Sequence, residues 1–166
     1  MAQINRLILT IGYYFRNQDK EILLGLKKEG LFGGGKWNGA GGKVKIEQQE
    51  TIYQGMVRET KEEASLEVIK AEKRGYIVFH FIEDPIVRHC HIYKIFNCEG
   101  VPTNSNEMVW KWFLVNDIPY HRMWKADAYW MPYLLENKKF IGTFFYRDYE
   151  TLLGYENLKE VENLDD

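Results

Sequence analysis

The sequence predicts a mixed α/β fold, with helices packed on a mixed β-sheet, on three observations. Apolar, β-branched and aromatic runs bounded by turn residues recur along the chain. Two segments show helical spacing instead. No internal repeat, low-complexity tract or linker interrupts them, and 166 residues with 45% hydrophobic content suit one domain with a proper core. Residues 1–166 are therefore read as a single domain, with an acidic tail from about residue 156 that is expected to fray.

Taken in order, Arg6 to Phe15 and Glu21 to Lys27 read as strands, joined by a hairpin turn at Arg16-Asn17-Gln18-Asp19-Lys20. The segment Trp37-Asn38-Gly39-Ala40-Gly41-Gly42-Lys43 puts three glycines in four residues, which suits backbone that must approach an ion or a phosphate closely. A helix starts at Thr51, whose hydroxyl can cap orphan N–H groups, with Gln54 completing the T-x-x-Q capping box. Strands follow at Gly75 to Ile82 and Ile86 to Phe96, with Asp84-Pro85 as the turn, and at Met108 to Val115. Ala126 to Glu136 reads as a second helix from the spacing of Tyr129, Tyr133 and Leu134, with Pro132 marking a kink or its first turn.

The run Arg58-Glu59-Thr60-Lys61-Glu62-Glu63 carries the chemistry. At about 3.6 residues per turn, Glu59, Glu62 and Glu63 fall within an arc of about 100°. Tyr53, Met56, Val57, Thr60 and Ala64 form the adjoining packing stripe. Arg58, one turn before Glu62, can fix one carboxylate while the others stay free. Like charges this close cost a few tenths of a kcal/mol per pair, so a counter-charge is expected, and all-oxygen ligation favours Mg²⁺ or Mn²⁺. A generic acidic helix face is more often merely solvated. The glycine-rich segment upstream is what points to a phosphate-and-metal site.

With these residues in view, the chain resembles the Nudix hydrolases, whose box reads G-x5-E-x7-R-E-U-x-E-E-x-G-U with U a bulky aliphatic. Glu50, seven residues, then Arg58-Glu59-Thr60-Lys61-Glu62-Glu63-Ala64-Ser65-Leu66 matches every charged position. Thr60 stands where an aliphatic is usual and Ser65 where the late glycine falls. Gly42 precedes Glu50 by seven residues instead of five, whereas pairing Gly41 with Glu47 restores that spacing but leaves ten residues before Arg58. Either way the loop is longer, through extra residues within Ile46 to Gln49 that should leave the acidic face intact. Ser65 is expected to strain the helix exit.

The stretches Leu23 to Lys28, Phe32 to Gly39, Glu107-Met108, Trp112-Phe113, Ile118-Pro119, Met123-Trp124, Asp127, Tyr129-Trp130 and Lys138 to Phe140 extend the resemblance to the animal-type MutT-homologue 8-oxo-dGTP diphosphatases. That resemblance implies a three-layer α/β/α sandwich and a purine nucleoside triphosphate as substrate. It also implies Mg²⁺ held by Glu59, Glu62 or Glu63, the carbonyl of Gly41, and Glu107. Water would attack the β-phosphorus to give a monophosphate and pyrophosphate, with Glu63 or Glu107 as the group that takes its proton. In the same resemblance Trp124 stacks the base, Phe32 and Phe79 wall the pocket with Met108 beside them, Asn38 and Asp127 meet base edges, and Lys27 reaches toward sugar and phosphate. Such enzymes place two adjacent aspartates after the tryptophan, whereas this chain has Trp124-Lys125-Ala126-Asp127, and Leu9 is apolar where a hydroxyl residue is usual. A base donor facing a methyl group goes unsatisfied at about 1 to 3 kcal/mol.

Composition excludes several classes. A net charge of −2 gives no basic field for tracking a nucleic-acid polymer, so a free nucleotide is the expected ligand. No apolar run reaches the length of a membrane span, and Met1 to Arg6 lacks a signal-peptide core. A monomeric, cytoplasmic enzyme is expected. Cys90 and Cys98 would share one strand face about 26 Å apart, beyond disulfide reach. His89 and His91 alternate on one strand without a third zinc ligand at recognisable spacing, and His80 and His121 are isolated. Two alternatives accompany the triphosphatase reading: a Nudix hydrolase of a dinucleoside polyphosphate, nucleotide sugar or RNA cap, and a non-catalytic nucleotide-binding module.

Overall fold

A computed structural model describes residues 5–164. Met1 to Ile4 and Asp165 to Asp166, part of the stretches read above for a signal peptide and an acidic tail, lie outside the described residues. The strands are β1 (Arg6–Arg16), β2 (Glu21–Lys27), β3 (Trp37–Asn38), β4 (Ala40–Lys43), β5 (Glu67–Phe81), β6 (Asp84–Glu99), β7 (Met108–Leu114), β8 (Phe140–Tyr146) and β9 (Leu152–Glu160). The helices are α1 (Ile52–Ala64) and α2 (Asp127–Leu135). The sheet runs β3-β2-β1-β6-β5-β8-β9, with β4 also paired to β1 and β7 to β2. It is mixed, since β1 runs parallel to β6 and β5 parallel to β8 while the other pairings are antiparallel.

Strand alternation assigns the two helices to opposite faces. Tyr13 and Phe15 of β1 pack with Cys90 and Ile92 of β6 and with Trp130, Met131 and Leu134 of α2. From the other face Tyr14 meets Met56 of α1, together with Tyr93 and Ile95. A Cβ on Gly12 would sit 2.7 Å from Ile95 of β6, so the glycine makes room for that side chain under α1. This is the three-layer α/β/α arrangement.

The cleft arises where β1 and β2 part. They pair only at Phe15↔Ile22 and Arg16↔Glu21, and β1 then pairs with β4 from Leu9 to Gly12. At the closed end, buried Lys94 of β6 donates to Asp19 at 2.8 Å and to Asn137 at 3.3 Å, tying the β1–β2 turn to the end of α2.

Several expectations need correction. The turn after β5 falls at Ile82-Glu83, and Asp84 and Pro85 open β6. β5 starts at Glu67, earlier than the apolar run suggested, because its polar first half is held by pairing with β6. β8 and β9 had no counterpart in the sequence reading. The tail is ordered as β9 to Glu160, where backbone pairing with β8 outweighs its acidic composition. Pro132 lies inside α2, not in its first turn, and has no N–H to donate to the Ala128 carbonyl. Cys90 and Cys98 share β6 but face opposite layers, since the register against β5 shifts near Val68 to Ala71. Both are free thiols.

Candidate active site

Helix α1 begins as its sequence dictates. Thr51 Oγ1 accepts from the Gln54 N–H at 3.1 Å, and Gln54 Oε1 accepts from the Thr51 N–H at 2.9 Å. The added residues before it form a short 3-10 turn, Ile46–Gln48, closed by Gln49 in the left-handed region at φ 62°. At the far end Ser65 sits at φ 59°, the conformation a glycine adopts more cheaply.

Arg58 does more than fix one carboxylate. Nε donates to Glu50 at 2.6 Å, Nη2 to Glu50 at 3.1 Å and to the Lys43 carbonyl at 2.9 Å, and Nη1 to Glu59 at 2.8 Å and Glu62 at 3.1 Å. Glu50 therefore holds the position that pairs with Arg58, while Glu47 stands exposed on the 3-10 turn. The Arg58 pairing holds the Glu50 carboxyl below the usual range, helped by the Lys45 N–H.

The three acids do not stand alike. Glu62 is exposed, and Glu59 lies against Gly42 so closely that a Cβ there would be 2.6 Å from its carboxylate. Glu63 is buried, contrary to its expected place apart from the packing side, and its Oε1 accepts from the Gly41 N–H at 3.0 Å. Burial pushes the Glu63 carboxyl up to about 7; Lys27 and the Gly41 N–H oppose the rise, and Glu59 and Glu107 add to it. Gly41 belongs to a non-hydrogen-bonded pair with Ile11, since the Val44 N–H bonds the Ile8 carbonyl three steps along and the two kinds of pair alternate. Its carbonyl therefore points away from β1, like its N–H, toward the acids of α1.

Among the described residues no three acidic, histidine or cysteine side chains form a metal cage, and Arg58 donates to Glu59 and Glu62. The donors fit a hard dication in kind. They are carboxylate and carbonyl oxygens gathered around glycines whose missing Cβ atoms leave room. Glu107 joins from the opposite wall, 3.7 Å from Lys27 Nζ.

A cavity of about 440 Å³ runs from Glu63, Gly41 and Lys27 past Met108 to Trp124. It is continuous through Leu9, Ile11, Phe32, Asn38, Arg88 and Trp124 with a deeper space of about 80 Å³ that also reaches Phe79 and Asp127. All seven substrate-binding candidates, Lys27, Phe32, Asn38, Phe79, Met108, Trp124 and Asp127, thus line one continuous cleft. Arg58, Glu59 and Glu62 stand behind its glycine wall instead of lining it.

The deep end is an aromatic slot with few polar groups. Phe32 lies tilted against Trp124 at 5.3 Å between centroids, and Lys36 Nζ sits 5.3 Å from the Trp124 ring. Tyr13 donates to Asn38 Oδ1 at 2.6 Å and the Gly39 N–H donates to the same oxygen at 2.9 Å. Those two donors fix the amide orientation and leave its NH₂ for the slot. Asp127 is buried, its Oδ1 accepting from Trp130 Nε1 at 3.0 Å while Oδ2 has no partner. Burial pushes its carboxyl up to about 7 against the Trp130 N–H. Ala126 is fully buried, and its N–H donates to Tyr146 Oη at 2.8 Å.

Sequence reasoning passed over Arg88, which lines this slot, and Tyr149, whose ring packs on Phe32 and Trp124 from outside it. Arg88 was legible as a charge in register with Cys90, Ile92 and Lys94 along β6, whereas Tyr149 comes from a loop no motif marks. The histidines keep their ordinary roles. His89 Nδ1 is 2.5 Å from Tyr76 Oη, and His80 stacks on Phe145 at 5.2 Å.

A glycine-lined strand facing an acidic helix, with an aromatic slot at the other end of the cleft, defines a nucleotide-phosphate hydrolase of the mixed-sheet sandwich type. The chain belongs to the Nudix family, for the NUDIX domain model matches residues 6–134. It is 44% identical over 146 residues to the oxidized purine nucleoside triphosphate hydrolase of Mus musculus, covering 88% of this chain and 91% of that one. Against the enzyme of the same name from Danio rerio it is 42% identical over 147 residues, covering 89% and 92%. The fold matches the crystal structure of the MutT protein from Bacillus halodurans with a TM-score of 0.79, at 22% identity over 90% of this chain and 96% of that one. Nudix hydrolases generally use a divalent metal. No helix among the described residues is long and apolar enough to cross a membrane.

Proposed function

We propose that this protein is a Mg²⁺-dependent pyrophosphohydrolase that converts an oxidised purine nucleoside triphosphate to its monophosphate and pyrophosphate. It would act as a single-domain monomer in the cytoplasm, clearing damaged precursors from the nucleotide pool. One observation carries the reading: the unpartnered Asp127 Oδ2 stands in an aromatic slot whose cleft leads to Glu63 of α1 and to Glu107. A buried polar atom without a partner costs about 1–3 kcal/mol, and a purine edge between Trp124 and Asn38 would satisfy it. Likeness to the mouse and zebrafish hydrolases supports the same substrate class.

Glu59, Glu62, Glu63, Glu107 and the Gly41 carbonyl would hold Mg²⁺, with Mn²⁺ able to replace it, and the ion supplies charge neutralisation of the polyphosphate and acidification of water. Arg58, locked by Glu50, keeps Glu59 and Glu62 aimed at the glycine strand. Lys27 balances phosphate charge at the mouth. Glu63 and Glu107, both lining the cleft, are the two groups able to take the proton of a water attacking the β-phosphorus. Trp124 and Phe32 fix the base, so the polyphosphate reaches the acids in one register.

Ala126 in place of a first aspartate favours a second reading, hydrolysis of another nucleoside diphosphate derivative, because Ala126 is fully buried and Asp127 is left as the one carboxyl lining the slot among the described residues. Pyrophosphate release from ordinary and oxidised triphosphates with Mg²⁺, beside a Glu59→Gln variant, separates the two. Clear preference for an oxidised purine, lost with the variant, supports the triphosphatase. Turnover only of dinucleoside polyphosphates, nucleotide sugars or caps supports the second reading.

A further inference from the structure

Among the described residues Arg88 is the one strongly basic side chain shared by the cleft and its deep slot. It is buried at 8% exposure on the core face of β6, among rings. Its guanidinium carbon lies 4.6 Å from the Phe32 centroid and 5.0 Å from that of Phe81. Nη2 donates to Asp84 Oδ2 at 3.0 Å and Nη1 to the Ile86 carbonyl at 3.3 Å. Asp84 is itself held, since Tyr149 Oη donates to Oδ2 at 3.0 Å and the Ile86 N–H to Oδ1 at 3.0 Å. A guanidinium has five N–H donors, so this support fixes the fork and leaves donors for the slot.

We propose that Arg88 is a specificity-determining residue that donates to the oxygen which oxidation adds to the bound purine, with Asp84 and Tyr149 as the residues that position it. The inference rests on the triphosphatase reading and names what its slot selects. Asp127 and Asn38 meet one part of the base with a single carboxyl and an amide, and Ala126 contributes no polar group. A base that carries an added carbonyl has an acceptor to offer. In a slot lined mainly by rings, an unpaired carbonyl would cost binding, and only a donor there turns it into a reason for preference. Arg88 is the donor the wall provides, and its charge strengthens the bond it makes.

The test is steady-state pyrophosphate release with Mg²⁺ from 8-oxo-dGTP, dGTP, 2-oxo-dATP and dATP, for wild type, Arg88→Met and Arg88→Lys. Arg88→Met preserves length and apolar contact with Phe32 and Phe81. Arg88→Lys preserves charge opposite Asp84 but loses the fork, and it carries the test if Arg88→Met does not fold. In both, the KM for the oxidised substrates is expected to rise about tenfold or more while kcat changes far less, narrowing the oxidised-to-ordinary ratio. A folded variant that keeps the wild-type ratio overturns the role of Arg88 alone. Wild-type protein that releases no pyrophosphate from any of the four overturns the triphosphatase reading and this inference with it.

Discussion

Arg58 grips Glu50 with two nitrogens, Nε at 2.6 Å and Nη2 at 3.1 Å, and so ties the loop before α1 to the face that carries the acids. Hydrogen bonds to charged groups contribute about 1.5–3 kcal/mol each. Glu50→Gln is expected to lower stability by a value in that range and to reduce kcat, as Glu59 and Glu62 lose their fixed partner. Glu47→Gln, on the exposed turn, is expected to change neither. Urea denaturation and pyrophosphate release on both variants check this.

Glu59→Gln and Glu63→Gln are expected to reduce kcat by about 10²- to 10⁴-fold, the range for removal of a positioned acid or base. Exposed Glu62, held only through Arg58, is expected to lose less as Glu62→Gln. Kinetics at saturating Mg²⁺ rank the three.

Trp124→Ala removes the slot's broad face. Base stacking on an aromatic is worth about 1–3 kcal/mol, so KM is expected to rise about 5- to 150-fold. Binding of the product monophosphate, followed by calorimetry, is expected to weaken in parallel.

Asp127 makes stability depend on pH in a set direction. Its carboxyl has risen from an ordinary 3.8 to about 7 in the folded chain. The folded state therefore holds a proton that the unfolded chain releases, and the stability linked to this group falls as pH climbs from about 4 to about 7 and levels off above. Asp127→Asn is expected to remove that slope and to be relatively more stable than wild type at pH 8 than at pH 5. Denaturant midpoints at the two pH values check the sign.

Ser65→Gly is expected to stabilise by about 1 kcal/mol with unchanged kcat, because φ 59° suits a residue without Cβ. Thermal melting reads the gain.

The acidic helix was legible to the residue, since its capping box and the Arg58 spacing are local and chemically specific. The loop register was not, because Glu47 and Glu50 fit by spacing alone and only the fork onto Arg58 tells them apart. β8 and β9 were missed for other reasons. Phe140 to Tyr146 is an aromatic run that pairs along its whole length with β5 and was passed over, and Leu152 to Glu160 has an exposed, acidic surface held as a strand by its pairing with β8. The slot's aromatics could be named from resemblance, but Arg88 needed the parity of β6 and Tyr149 needed the folded loop. Burial of Glu63 was equally out of reach, because it depends on the Gly41 N–H, which lies on β4.

The most direct measurement is kcat/KM for 8-oxo-dGTP against dGTP with Mg²⁺, with the products separated by ion-exchange chromatography. A higher value for the oxidised substrate, with monophosphate and pyrophosphate as products, is the expected result. Equal turnover of both nucleotides, or release of orthophosphate in place of pyrophosphate, would contradict a cleft in which aromatic slot and acidic helix act on one oxidised purine triphosphate.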